Sequence, residues 1–216
     1  RNDFVDIVKI FREYLPKARL GVQTNGLKPD LARDRLEKII EFYPEFSLAV
    51  SLDGIGKTHD LIRGQPDGFD LAIKTINYAK KLGIKRITCG MTLFADNYNQ
   101  IIQVKELVEK MGCEFSCFPA EDADYFDHNL KKLSSRPDSK QEKEMLKQLK
   151  AVSAGNYFMD NLRLKRDGKR EPKVYCFSGF TSLVIDPYGN VKPCILKVKG
   201  IDDDIFGNIK NKPLDE

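Results

Sequence analysis

The stretch CFSGFTSLVIDPYGNVKPC, residues 176 to 194, sets a thiol at each foot of what reads as a β-hairpin turning at Pro187-Tyr188-Gly189. Such a pair can close a disulfide, hold a metal or simply pack. The chain has five cysteines, the others being Cys89, Cys113 and Cys117. An odd count, in a Lys-rich chain whose start does not read as a signal peptide, disfavours the disulfide and suggests a reducing, cytoplasmic setting where thiols bind metal or pack. A second group of candidates ends apolar runs: Thr24-Asn25-Gly26, Ser51-Leu52-Asp53-Gly54, and Thr92 with Asn97 just beyond it. Thr, Asn, Ser and Asp at such places can hold a ribose, an amino-acid head group or a carboxamide, although Asn-Gly and Asp-Gly are also ordinary turn formers. A third group lies in the long loop GIGKTHDLIRGQPDG. Arg63 there can grip a carboxylate in a two-pronged contact, and His59 reads either as a site residue or, more simply, as a solvated loop histidine.

The elements that would position these residues alternate. DFVDIVKIFREYL reads as a helix before the apolar run RLGVQTNG. LARDRLEKIIEFY carries Leu36, Ile39, Ile40 and Tyr43 on one face, and FSLAVSLDG follows as a buried-strand candidate. GFDLAIKTINYAKKLG carries Phe69, Ala72, Ile73, Ile76 and Ala79 on one stripe and ends at Gly83. KRITCGMTL is a third strand. Asn99 is placed to cap QIIQVKELVEKMG, and EFSCFP is a fourth strand. Strands alternating with amphipathic helices predict an α/β fold with a parallel sheet. The strands' apolar character predicts helices on one face and a packed interior on the other. In such folds chemistry gathers at the C-terminal strand ends, so all the polar ends share one mouth. Cys89, Cys113 and Cys117 are expected to be core thiols: residues four apart on a strand share a face but lie about 13 Å apart.

Beyond Pro119 the rhythm stops. An acidic segment, AEDADYFDHN, precedes a charged helix or helix pair in 139–165 and a basic linker, LKRDGKREPK. The division read from this is 1–120, a connecting segment 121–172, and a final unit 173–216. Hydrophobic residues make up 41% of the 216, and the formal net charge of +4 is too mild to argue for nucleic acid. No apolar run approaches the ~20 residues of a membrane helix. The linker's five positive charges read as a solvated tether more readily than as an RNA contact.

TNG after one strand, SLDG after the next leading to HDLIRG and GF, Cys176 followed by twelve residues, Gly189, four more and Cys194, and a downstream Gly207-Asn208-Ile209 form a combined pattern. In this the chain resembles a radical SAM enzyme of the SPASM subgroup, which carries an auxiliary iron–sulfur domain. The cysteine–glycine–cysteine spacing with the trailing GNI is the most specific part, and the resemblance spans roughly 18–120 and 174–210. It implies a partial (β/α)6 barrel, of which four βα units are present, followed by the β-hairpin start of a SPASM domain. It implies two cofactors, S-adenosylmethionine (SAM) and [4Fe-4S] clusters. Cys176 and Cys194 would be two ligands of the auxiliary cluster, zinc or packing being the other readings. Ser51 and Asp53 would lie near the ribose or methionyl group, Arg63 near the carboxylate, and Thr24 and Asn25 along the mouth.

The family's C-x-x-x-C-x-x-C motif, its GGEP-like stretch and its later SPASM cysteines are absent from these residues. The expectation is a fragment cut at both ends and inactive alone. The intact enzyme would reductively cleave SAM to a 5′-deoxyadenosyl radical and abstract hydrogen from a peptide, protein or small molecule. An electron donor such as flavodoxin or ferredoxin would serve it, with no membrane partner. The rival reading is a metal-stapled α/β binding or scaffold module, with RNA as a conceivable partner.

Overall fold

The computed structural model describes residues 2–120, 138–152, 182–193 and 206–211. The first two stretches belong to one compact unit and the last two to a second.

In the first unit the elements run α1 (Phe4–Tyr14), β1 (Gly21–Thr24), α2 (Pro29–Ile40), β2 (Ser47–Ser51), α3 (Lys57–Arg63), α4 (Gly68–Lys81), β3 (Ile87–Leu93), α5 (Ile101–Lys110), β4 (Glu114–Pro119) and α6 (Ser139–Val152). The strands form one parallel sheet in the order β1-β2-β3-β4, the alternation read from the sequence. The helix stripes do what their spacing predicts. Leu36 and Ile39 of α2, Ala72, Ile76 and Ala79 of α4, and Ile101, Val104 and Val108 of α5 are all buried. Tyr43 follows α2 and clamps the entry to β1: its hydroxyl donates to Ala18 O and accepts the Leu20 N–H. α6 packs against α5 through a face that includes buried Met145, Leu146 and Leu149.

The sheet departs from the expectation of strands packed on both faces. The register aligns Val22, Leu48 and Ile87, then Thr24, Val50, Cys89 and Phe115, on one face. Most of that row is buried beneath the helices. The opposite face aligns Gln23, Ala49, Thr88 and Glu114, then Ser51, Gly90 and Ser116, then Thr92 and Phe118. Much of it is half-buried or exposed. Alternation with a period of two thus puts branched residues under the helices and small or polar residues on the open face. Asn99 also departs from its expected capping role. It lies exposed in a single 3-10 turn, Tyr98–Gln100, and α5 starts without a side-chain cap.

The second unit's described residues include β5 (Val184–Ile185), β6 (Asn190–Lys192) and β7 (Gly207–Asn208), antiparallel in the order β5-β6-β7. β5 and β6 form the hairpin expected between the two cysteines. Cys176 and Cys194 themselves, and the acidic segment and basic linker of the middle region, lie outside the described residues.

Candidate functional site

The turn after β1 is tied down locally. Thr24 Oγ1 accepts the Gly26 N–H, and Asn25 Oδ1 accepts the Leu27 N–H. Gly26 has φ of +74°, and a Cβ there would stand 3.0 Å from Ala72 Cα, so only glycine lets α4 approach this turn. Buried Thr75 of α4 donates to Gly26 O at 2.7 Å. Thr24 falls in the helix-covered row beside Val50, and Asn25 is exposed. Both side chains brace the turn.

The end of β2 is built around Asp53, which is 1% exposed. Its Oδ1 accepts the Thr92 N–H at 2.8 Å from the end of β3. Its Oδ2 lies 2.5 Å from Nη2 of Arg63, at the end of α3. Asn97 Nδ2 donates to both Asp53 O and Thr92 O, while Asn97 Oδ1 accepts the Phe94 N–H. The Asp53 N–H donates to Nδ1 of His59 at 3.0 Å. Gln100 locks the following turn, accepting from Ile55 N–H and donating to Thr58 Oγ1. Nearly half of the expected loop is therefore ordered as the helix α3, and Asp60 Oδ1 accepts the Phe69 N–H at the start of α4.

His59 is not a solvated loop residue: it is fully buried, against the edge of Phe69. The helix α3 turns it inward, a fold-back that a Gly-flanked run of polar residues does not announce. Because Nδ1 accepts a hydrogen bond, the ring is neutral with its proton on Nε2. Burial lowers its pKa further from the ordinary 6.5, the Asp53 carboxylate opposing the shift and Arg63 adding to it. Nε2 of His59 and Nε of Arg63 are buried with no partner among the described residues.

Ser51, two residues before Asp53 at the end of β2, lies on the open face beside Gly90 and Ser116. Gly90 is the informative member of that row. Its backbone has no positive φ, and among the described residues a Cβ there would meet only Ser116 Oγ, at 3.7 Å. A glycine inside a strand weakens it, and here the fold does not require one. Sequence reading passed over Gly90; a glycine amid the β-formers of ITCGMTL was the signal for it. Gln100 offered no comparable signal.

The described cysteines do not make a cluster site. Burial pushes Cys89 up to about 12 and Cys117 up to about 11, and raises Cys113 as well, so all are held as thiols. Cys89 and Cys113 are buried as expected of core thiols, and Cys117 is half-buried. Among the described residues no group of His, Cys, Asp and Glu is placed to hold a metal.

The second unit's hairpin is braced by its own polar residues. Asp186 accepts the Tyr188 and Asn190 N–H groups and the Asn190 side-chain amide. These bonds, the Asn190 side chain first, with Lys192 contributing, bring its pKa down to about 2. Asn208 Nδ2 donates to Tyr188 O and to Asn190 Oδ1. Gly189 has φ of +92°, and a Cβ there would stand 3.0 Å from Asn208 Oδ1. The trailing Gly207-Asn208 thus grips the hairpin turn.

Comparison with known proteins decides the family. Residues 1–108 match the model of the radical SAM superfamily, and residues 176–216 match an iron–sulfur cluster-binding domain of the SPASM type. The chain belongs to the radical SAM superfamily. The two matches name its cofactors, SAM and an iron–sulfur cluster. Among curated radical SAM relatives, the antilisterial bacteriocin subtilosin biosynthesis protein AlbA of Bacillus subtilis is 26% identical over 202 residues, 91% of this chain and 43% of AlbA. The sporulation killing factor maturation protein SkfB of the same organism is 28% identical over 111 residues, 49% of this chain and 26% of SkfB. The chain therefore spans less than half the length of these relatives. A solved structure of anSMEcpe with bound AdoMet and Cp18Cys peptide shares the fold, with a TM-score of 0.60 at 16% identity, covering 98% of this chain and 61% of that one. No helix among the described residues is long and apolar enough to cross a membrane.

Proposed function

We propose that this chain is the SAM-binding and auxiliary-cluster part of a longer radical SAM enzyme that modifies a peptide. The observation that carries the reading is Gly90, a mid-strand glycine with room for a side chain on the open face of the sheet. Its smallness leaves a cradle that a Cβ would narrow, flanked by the hydroxyls of Ser51 and Ser116.

Bound SAM supplies the chemistry, hydrogen abstraction after reductive cleavage of its sulfonium. The chain's residues bind and orient it. Ser51 offers a hydroxyl to the ribose or methionyl group. Arg63, partly exposed and anchored by Asp53, keeps free N–H donors for the carboxylate. Asp53 spends its own carboxylate on Thr92 and Arg63, so it orients these groups and is not free for the ribose. Thr24 and Asn25 hold the mouth's first turn. Cys176 and Cys194, which flank in sequence the hairpin that Asn208 grips, are proposed as two ligands of the auxiliary cluster. The domain division 1–120, 121–172 and 173–216 goes with this reading, as does an external electron donor such as flavodoxin or ferredoxin. Without a C-x-x-x-C-x-x-C motif, these residues alone are expected to be inactive. The peptide substrate is supported by the relatives, whose names point to peptide products.

The test is Gly90→Val in the full-length protein that contains this chain, with clusters assembled anaerobically. Valine suits a strand and has room at its Cβ. SAM affinity by equilibrium dialysis should fall at least tenfold while Tm holds or rises. Unchanged affinity would remove the open face as the binding site. A companion measurement is iron content: Cys176→Ser and Cys194→Ser should each lower it.

A further inference from the structure

His59 has no assigned part in the reading above, yet it is fully buried near the mouth, with 0% exposure. It receives the backbone N–H of Asp53, the residue that anchors Arg63. The rest of Asp53 is fixed by β3 and its loop, through Thr92 and Asn97. The hydrogen bond from Asp53 to His59 is the one described side-chain link from its backbone to α3, whose last residue is Arg63. The ring fixes both ends of one ion pair: the peptide that carries the carboxylate and the helix that carries the guanidinium. A neutral acceptor is needed for this, since a protonated ring would lose the acceptor and set a second positive charge beside Arg63.

We propose that His59 is a positioning residue for SAM: it sets the Asp53–Arg63 pair so that the remaining guanidinium donors face the cofactor's carboxylate. This rests on Arg63 as the carboxylate ligand. The groups bearing on the ring's charge are Asp53 after β2, and Asp60 and Arg63 on α3, with the uncharged Phe69 ring from α4 packed on it. Lowered basicity keeps the ring neutral through the physiological range.

The experiment uses the full-length protein with assembled clusters and compares His59→Leu, His59→Asn and Arg63→Ala. SAM affinity, Tm and the pH dependence of affinity are measured for each. His59→Leu fills the space without an acceptor and should weaken SAM binding about tenfold. His59→Asn restores an acceptor near the position of Nδ1 and should come within about threefold of wild type. The wild type should lose affinity on acidification below the ordinary histidine range, and His59→Asn should lack that acid limb. If His59→Leu binds SAM as wild type does while Arg63→Ala does not, the positioning role is overturned and the Arg63 reading stands. If Arg63→Ala leaves affinity intact, the Arg63 reading falls, and this proposal with it. Equal loss in both His59 variants, tracking an equal loss of Tm, reduces His59 to a core residue and also overturns the proposal.

Discussion

Asp53 shows how a residue chosen for its chemistry can be committed to another use. Its carboxylate faces a backbone N–H on one side and a guanidinium on the other, with almost no contact with water. Removing one partner of a buried pair typically costs about 3–5 kcal/mol, and Arg63's partial exposure softens that figure to about 2–3 kcal/mol for Asp53→Ala. Asp53→Asn keeps an acceptor for Thr92 and should lose about half as much, as urea unfolding would show. His59 adds a pH dependence with a definite sign. Its folded pKa lies below the unfolded value of about 6.5. The stability it contributes is complete above about pH 6.5 and is lost as pH falls toward the folded pKa, because the unfolded chain binds the proton first. Tm measured from pH 7.5 to 5 should fall less steeply in His59→Asn. At this scale the sequence drew attention to Asp53 and Arg63 but not to their pairing. SLDG and HDLIRG give residue types, whereas the pairing of Asp53 with Arg63 is a tertiary contact across ten positions.

Elements were more legible than residues. Periodicity located the longer helices of the first unit and each parallel strand, because an amphipathic stripe is a local property. The loop after β2 was harder. Its glycines suggested open coil, and α3 forms because Gly56 and Gly64 both have positive φ and bracket one short helix, with Asp60 tied to Phe69. The turn after β1 lets α4 dock only through glycine. Gly26→Ala combines a left-handed conformation with a contact on backbone atoms, and about 2 kcal/mol of destabilisation is expected from the conformational cost and crowding together. A shift in the urea midpoint with an unchanged m-value would confirm it. The hairpin turn makes a similar case in the second unit. Asn208→Ala removes the donor to Tyr188 O and Asn190 Oδ1. It should lower the auxiliary-cluster iron retained by the full-length protein while leaving SAM affinity unchanged.

On the scale of the whole chain, the sheet has a covered face and an open one, and sequence reading missed the distinction. Val, Ile, Leu and Cys in the strands drew attention to burial, while the Ser, Thr, Gly and Gln between them passed as ordinary alternation. The β1 edge and α1 add to the exposed surface. Ile10, Phe11, Tyr14 and Leu15 are all more than 40% exposed, and among the described residues β1 pairs only with β2. An apolar helix face and an open strand edge each invite association. The 216 residues expressed alone should therefore self-associate with rising concentration, as sedimentation velocity would show. The open face has a further consequence for variation. At Gly90 the fold takes no benefit from the residue's size, so larger side chains there should leave protein abundance intact in a cell while abolishing its output. A library scored only by expression level would call the position tolerant. Scored by product, the same library should mark it among the least replaceable, and that split between the two readouts would distinguish a floor kept clear for a ligand from a floor that is merely bare.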